Sequence, residues 1–149
     1  MVREIPLGEL TIRKYEKPYD SSKRELARKV CLSLGLLQPG DSRDIIVDIV
    51  LILDEARKTK TMLNSFEIKD KVESLRKQNS LEVKGIAESN IRRQLKRLRD
   101  IMIVDKSENK YRISEFAPLS EIFEVKIEKF LMPQITSRIK EYLSKLDSN

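Results

Sequence analysis

The sequence predicts a mainly α-helical protein that carries a small β-hairpin, an N-terminal helix and a long C-terminal helix. Apolar residues recur at spacings of three and four over most of the chain, which is typical of amphipathic helices. Two short runs of strand-forming residues, Ile101–Val104 and Tyr111–Ile113, lie close enough together to form a hairpin. With 149 residues, of which 40% are hydrophobic and 36% charged, the chain can bury one core beneath a charged surface.

Composition excludes several kinds of chemistry. Cys31 is the only cysteine and histidine is absent, so an internal disulfide, the usual zinc sites and the Ser-His and Cys-His nucleophile pairs are excluded. Cys31 falls on an apolar helix face, where a small thiol acts as a core residue. We therefore expect no enzymatic activity, no catalytic residues, and no metal, cofactor or small-molecule substrate.

Targeting signals are also missing from the sequence. No apolar run approaches the ~18–20 residues of a membrane span. Met1–Leu10 lacks the charged start, apolar middle and cleavage site of a signal peptide. We expect a cytoplasmic protein that has no membrane partner.

The charge balance favours a polyanionic partner. Thirty Lys and Arg residues against twenty-four Asp and Glu residues give a formal net charge of +6. A merely soluble, highly charged surface would have a similar total. The position of the cations along the chain must therefore decide between the two interpretations.

Residues 1–40 are predicted to form an arm and a helix. Leu10–Tyr15 alternates well enough for a short strand. Asp20–Ser22 then offers N-caps for a helix whose apolar residues continue to Leu37, and Gln38–Gly40 closes this helix.

A central buried helix is predicted next. Asp41 or Ser42 caps it, and its residues up to Ala56 are apolar nearly all round. The β-branched run could instead be a buried strand, but the caps, the length through Lys58 and the polar end favour a helix.

A third helix is predicted to begin at Asn64–Ser65 and to have one apolar stripe. Its acidic residues could suggest a site for a hard metal ion, but basic residues alternate with them, which favours a solvated face. The acidic residues are Glu67, Asp70 and Glu73, and the basic ones are Lys69, Lys71 and Arg76. Gln78–Gly85 is predicted to be a connector.

The next helix is strongly basic. Ser89 is its predicted N-cap, and at 100° per residue the aliphatic residues Ile91, Leu95 and Leu98 fall on one side. The nearest acids stand at the two ends of the helix, so the central cations are expected to lack i,i+4 partners. One face can pack into a core while the other presents cations to a groove of nucleic acid. The alternative is the solvated side of an ordinary surface helix.

From Leu119 onward, apolar residues follow a three-and-four spacing to the end of the chain. This spacing predicts a long amphipathic helix within residues 115–149. Pro133 lacks a backbone donor, so the helix is expected to kink or divide near Met132.

The run Ser89–Leu98, followed by the strands Ile101–Val104 and Tyr111–Ile113, resembles the winged helix-turn-helix DNA-binding regulators of archaea and bacteria. The resemblance covers about Arg43–Ser114 and implies a winged-helix domain over residues 41–114. It implies a scaffold helix at Arg43–Lys58 and a positioning helix at Phe66–Lys77. It also implies a recognition helix at Asn90–Arg99 and a wing at Lys106–Arg112. Asp100–Met102 lacks the glycine that often precedes the first wing strand.

These observations predict a double-stranded DNA-binding protein, a transcriptional regulator that acts by occupying its site. The alternatives are a winged-helix module that docks proteins in a transcription, replication or segregation complex, and an RNA-binding factor. The expected DNA-binding residues lie on the basic helix and the wing: Ser89, Asn90, Arg92, Arg93, Lys96, Arg97, Lys106, Lys110 and Arg112.

The C-terminal apolar stripe is predicted to form a homodimer. The alternative is that the stripe packs on its own domain, against Leu26–Leu37. The expected dimerisation residues are Leu119, Ile122, Phe123, Ile127, Phe130, Leu131, Ile135, Ile139, Tyr142, Leu143 and Leu146.

Overall fold

The computed structural model, which describes residues 3–149, is mainly helical and has a small antiparallel sheet, as predicted. Its helices are α1 (Lys23–Ser33), α2 (Ile45–Lys58), α3 (Ser65–Gln78), α4 (Glu88–Asp100), α5 (Leu119–Ile122) and α6 (Met132–Asp147). Its strands are β1 (Leu63–Asn64), β2 (Val104–Ser107) and β3 (Lys110–Ile113). A 3₁₀ turn, Ser114–Phe116, follows β3, and a π-helical segment, Phe123–Leu131, joins α5 to α6.

The N-terminal segment is not the strand that the alternation at Leu10–Tyr15 predicts. It lies instead against the end of α1, where the Arg13 backbone N–H donates to the Ser33 carbonyl at 2.8 Å. The Arg13 guanidinium donates to the Leu32 carbonyl at 2.7 Å and to Gln38 Oε1 at 2.6 Å. One side chain therefore anchors the segment, and the prediction of a strand was wrong.

Helix α1 starts where predicted and ends earlier. The Ser22 hydroxyl accepts the backbone N–H of Glu25 at 3.1 Å, which is an ordinary N-cap. The helix stops at Ser33 rather than continuing to Leu37, because the chain turns through Gly35 at a φ of 70°. A side chain at Gly35 would clash with Thr11, which crosses directly over it.

Helix α2 is the predicted central helix, but its N-cap is Asp44 rather than Asp41 or Ser42. It also contains a buried acid that the apolar pattern does not predict. Asp48 is fully buried and accepts two hydrogen bonds from the Arg24 guanidinium, at 2.7 and 2.9 Å. Arg76, only 5% exposed, donates to Asp48 at 2.7 Å and to Asp44 at 2.9 Å. Placing Arg76 on a solvated face was therefore wrong, since its guanidinium ties α3 to α2 and α1.

Asn64, not Ser65, caps α3. The Asn64 side chain accepts the backbone N–H of Glu67 at 2.8 Å, and the Glu67 carboxylate accepts the backbone N–H of Asn64 at 3.0 Å. This is a reciprocal capping box, which the Asn-x-x-Glu spacing contains.

The sheet has the strand order β1-β3-β2, so β2 forms one edge. Ser107 pairs with Lys110, and both residues of the connecting turn, Glu108 and Asn109, have positive φ. This is the two-residue turn that suits the twist of a hairpin. Strand β2, the first strand of the hairpin, begins at Val104 rather than at the predicted Ile101, because Met102 adopts a φ of 65°.

The C-terminal helix neither breaks nor turns at Pro133. Backbone angles remain right-handed helical at Leu131 and Met132, where π-type hydrogen bonding changes to α-type. The predicted division is therefore a change of hydrogen-bond pattern within one continuous helix.

One core unites residues from 1–40, 41–114 and 115–149. It extends from Ala27 through α2, α3, α4 and the sheet to Ile127. Within residues 3–149, no helix is both long enough and apolar enough to cross a membrane.

Candidate nucleic-acid interface

Helix α4 is the basic helix, and it begins two residues earlier than the predicted Asn90. Its N-cap is Ala87, whose side chain makes no capping hydrogen bond, so assigning this role to Ser89 was wrong. Glu88 occupies the first turn, where its charge suits the helix dipole, and its carboxylate accepts the Ser65 hydroxyl at 3.0 Å. The contact fixes the start of α4 against the start of α3.

The aliphatic face of α4 is buried as predicted. Ile91, Leu95 and Leu98 are all 0% exposed and pack into the core beside α2 and α3. Three fully buried anchors on successive turns hold the helix rigidly. The opposite face is left at the surface, where Ser89, Arg92, Arg93, Lys96 and Arg99 are exposed.

Two of these cations have partners on the same helix. Arg92 lies 3.4 Å from the Glu88 carboxylate and Lys96 lies 3.2 Å from Asp100. The expectation that the cations lack i,i+4 partners was wrong, because the acids at the two ends stand four residues from a cation. The Lys96–Asp100 pair is solvent-exposed, whereas the Glu88 side chain is only 23% exposed. Exposed i,i+4 pairs are worth about 0.3–0.5 kcal/mol, so a phosphate can displace Asp100 from Lys96.

Asn90 and Arg97 are held by the body of the protein. The Asn90 amide donates to the Gly85 carbonyl at 2.6 Å, and its oxygen accepts Arg93 at 2.7 Å. Arg97 donates to the Gly35 carbonyl at 3.1 Å. Both side chains are half-buried, so they position neighbouring groups more than they project from the surface.

The hairpin adds cations beside α4. Lys110 and Lys106 are exposed, and the Lys106 ammonium lies 5.6 Å from the centre of the Tyr111 ring. Arg112 is more confined, because it pairs with Asp105 at 3.2 Å and stacks on the Phe116 ring.

An open cleft of about 740 Å³ separates the C-terminal half of α4 from the edge strand β2. Cations of four elements line it: Lys96, Arg99, Lys106, Arg112 and Lys126. Asp100 and Asp105 also line the cleft, and each is paired with one of these cations. Within residues 3–149, Arg99, Lys106 and Lys126 have no carboxylate within 4.0 Å. The cleft therefore carries uncompensated positive charge.

Lys126 and Arg99 are missing from the predicted DNA-binding residues. Arg99 belongs to the basic run of α4, so the sequence alone is sufficient to predict it as a DNA-binding residue. Lys126 lies in the π-helical segment, inside an amphipathic pattern that gives no sign of proximity to α4. Only the folded chain brings it to the cleft.

The expected dimerisation residues separate into two groups. Five of them pack on the chain's own core, as the alternative of self-packing predicts: Leu119, Ile122, Phe123, Ile127 and Leu131. Ile135 is half-buried, and the others are exposed: Phe130, Ile139, Tyr142, Leu143 and Leu146.

Cys31 is fully buried, as predicted, and burial raises the pKa of its thiol to about 12. Among the described residues, no group of three or more Cys, Asp and Glu side chains could hold a metal ion. Comparison of the chain with protein-family models, curated proteins and solved structures found no match in any of the three.

Proposed function

We propose that the protein is a winged-helix regulator that binds double-stranded DNA and acts by occupying its site. In this proposal α4 is the recognition helix, α3 the positioning helix and the β2–β3 hairpin the wing. The observation that carries the proposal is the geometry of α4: three aliphatic residues are fully buried, and the opposite face exposes Arg92, Arg93 and Lys96. These cations have partners only on α4 itself, so a rigid helix can still present them to the phosphates and bases of a major groove.

The cleft beside the hairpin supports the same proposal. Arg99, Lys106 and Lys126 come from a helix, a strand and a π-helical segment, yet all three line one surface. Cations that converge from separate elements can neutralise successive phosphates of a backbone. In this arrangement α4 reads the groove, and the cleft holds a flanking strand without performing any chemistry.

The test is the salt dependence of binding to a duplex of random sequence, measured by fluorescence anisotropy. Each phosphate contact contributes a slope of about 0.9 in log K against log salt. The double variant Arg93→Gln, Lys96→Gln is expected to reduce the slope by up to about two and to weaken binding roughly tenfold per lost contact at about 0.1 M salt.

A matched control removes the same charge elsewhere. Lys60→Gln with Lys140→Gln changes two exposed lysines outside α3, α4 and the hairpin, and neither lines the cleft beside α4. This control is expected to bind as the unmodified chain does. Full-strength binding by the α4 variant would remove the helix from the interface.

The partner class is tested with the same probe. No binding to duplex at about 10⁻⁴ M in low salt would overturn the proposal and would favour a protein-docking module. Tighter binding to an RNA duplex than to the DNA duplex in competition would make the partner RNA.

A further inference from the structure

A second surface of the molecule is apolar, and none of the residues of α4 lines it. A groove of about 730 Å³ lies between the segment Tyr15–Tyr19, helix α1 and the start of the C-terminal helix. Leu26 and Val30 of α1 are 41% and 42% exposed there. Further apolar residues line the groove: Leu32, Leu34, Ile103, Leu119 and Phe123. An apolar lining of this kind can accept the apolar face of an amphipathic helix.

Helix α6 is an amphipathic helix that lacks a groove. None of its residues is buried, and within residues 3–149 it packs extensively only on the π-helical segment that precedes it. Ile139, Tyr142, Leu143 and Leu146 are 51–73% exposed and share one face. Such a stripe is rare on a helix that stays in water.

The chain cannot fill its own groove with α6. The groove is lined by Leu119 and Phe123, and the helix continues from there through Met132 without leaving right-handed helical geometry. Ile139 follows Phe123 by 16 residues, which places it roughly 20 Å farther along the helix. No turn lies between them to bring the stripe back.

Pairing of two α6 helices alone would give a small interface. Sixteen residues make a helix about 24 Å long and about 10 Å wide, so one face covers a footprint of roughly 240 Å². Each partner in a stable pair covers about 800 Å² of accessible surface. If each chain contributes both its helix and its groove, the apolar area per partner about doubles, and a two-fold axis makes the two contacts identical.

The rim of the groove carries charges of both signs: Glu16, Lys17, Glu25, Arg28 and Lys29. Glu25 lines the groove, and Lys145 stands beside the apolar stripe of α6. Neither has an oppositely charged partner within 4.0 Å in the described part of the chain. An acid at the edge of the groove and a cation at the edge of the helix complement each other across an interface.

We propose that two copies of the chain exchange α6, so that the helix of each copy lies in the groove between α1 and the C-terminal helix of the other. The apolar stripe of α6 packs on Leu26 and Val30 of the partner copy. The interface is independent of α4, so it stands or fails separately from DNA binding.

Cysteine trapping tests the arrangement. A chain with Val30→Cys is mixed with a chain with Leu143→Cys under oxidation, and a disulfide between the two different chains is expected. Cys31 does not interfere, because burial keeps its thiol protonated and inaccessible. The matched control pairs Val30→Cys with Glu141→Cys, which lies on the opposite side of α6 from Leu143, and little product is expected.

Two further results would overturn the proposal. Efficient disulfide formation by the Leu143→Cys chain alone would show that α6 pairs with α6 instead of entering the groove. A monomeric mass for the unmodified chain by light scattering would remove the dimer altogether. The variant Leu143→Asp, Leu146→Asp is expected to be monomeric with unchanged circular dichroism of the body, since neither side chain is buried.

Discussion

Met102 shows how a single residue shapes the path from α4 into the hairpin. Its φ of 65° lies in the left-handed region, where the Cβ of an L-residue crowds the following carbonyl oxygen. The sequence has no glycine between Asp100 and Met102, yet the backbone turns here as it would at a glycine. Met102 therefore bears a conformational cost that its side chain does not recover, because it lines the open cleft.

Met102→Gly is expected to raise the free energy of unfolding by about 0.5–1 kcal/mol. The left-handed conformation costs an L-residue about 1–2 kcal/mol, and the greater freedom of glycine in the unfolded chain offsets part of this gain. Urea denaturation measures the change. Met102→Ala keeps the unfavourable φ and should give no gain, and an equal gain from both variants would contradict the explanation.

Helices α3 and α4 differ in how their N-termini are capped. Helix α3 has a complete capping box formed by Asn64 and Glu67, whereas α4 begins after Ala87 and has no side-chain acceptor at its N-cap. The Asn90 N–H donates to the Ala87 carbonyl at 2.9 Å, and the N–H groups of Glu88 and Ser89 are left to water.

Ala87→Ser is expected to stabilise the protein by about 1 kcal/mol, because a serine hydroxyl can accept an N–H of the first turn. Thermal unfolding followed by circular dichroism measures the effect. The reverse change, Asn64→Ala, should cost a similar amount at the start of α3. If Asn64→Ala destabilises the protein and Ala87→Ser has no effect, the first turn of α4 is already satisfied in some other way.

Periodicity predicts the helices well where their own residues decide the structure. The α2, α3 and α4 segments and the hairpin follow from apolar spacing and strand-forming residues, whereas the N-caps predicted for α2 and α4 were wrong. The prediction of a strand at Leu10–Tyr15 was wrong because the Arg13 side chain donates hydrogen bonds to Leu32 and Gln38, at and beyond the end of α1. The π-helical segment keeps the same apolar spacing as an α-helix, so its hydrogen bonding is not visible in the sequence.

The candidate site shows the same division. The buried and exposed faces of α4 are encoded in a single run of residues, so the sequence predicts them. Lys126 reaches the cleft only because the C-terminal helix packs back on the core. Contacts between segments far apart in the chain require the folded structure.

At the scale of the whole molecule, three helices meet around buried charges. Asp48 accepts hydrogen bonds from Arg24 of α1 and Arg76 of α3, and the Arg76 Nε also donates to the Glu82 carbonyl at 2.6 Å in the connector to α4. Hydrogen bonding to Asp48 also raises the pKa of Arg24. The network therefore fixes the connector that leads into the basic helix.

Asp48→Asn is expected to lower the free energy of unfolding by about 1–3 kcal/mol, because Arg76 keeps Asp44 as a partner but the buried hydrogen bonds to the Asp48 carboxylate are disrupted. Urea denaturation measures the loss. The control Glu73→Gln disrupts the exposed pair with Lys77 and should cost less than about 1 kcal/mol. Equal effects of the two variants would mean that the buried network contributes no more than a surface pair.

The stability of this interior should depend on temperature differently from that of a core made only of hydrocarbon side chains. Water hydrates ions less favourably as it warms, so the penalty for keeping Asp48 and Arg76 away from solvent falls with rising temperature. The stabilisation that comes from burying apolar surface increases little over the same temperature range. A variant with aliphatic residues at these two positions would have its most favourable stability relative to the native chain at low temperature. The relative stability of the native chain would rise on warming.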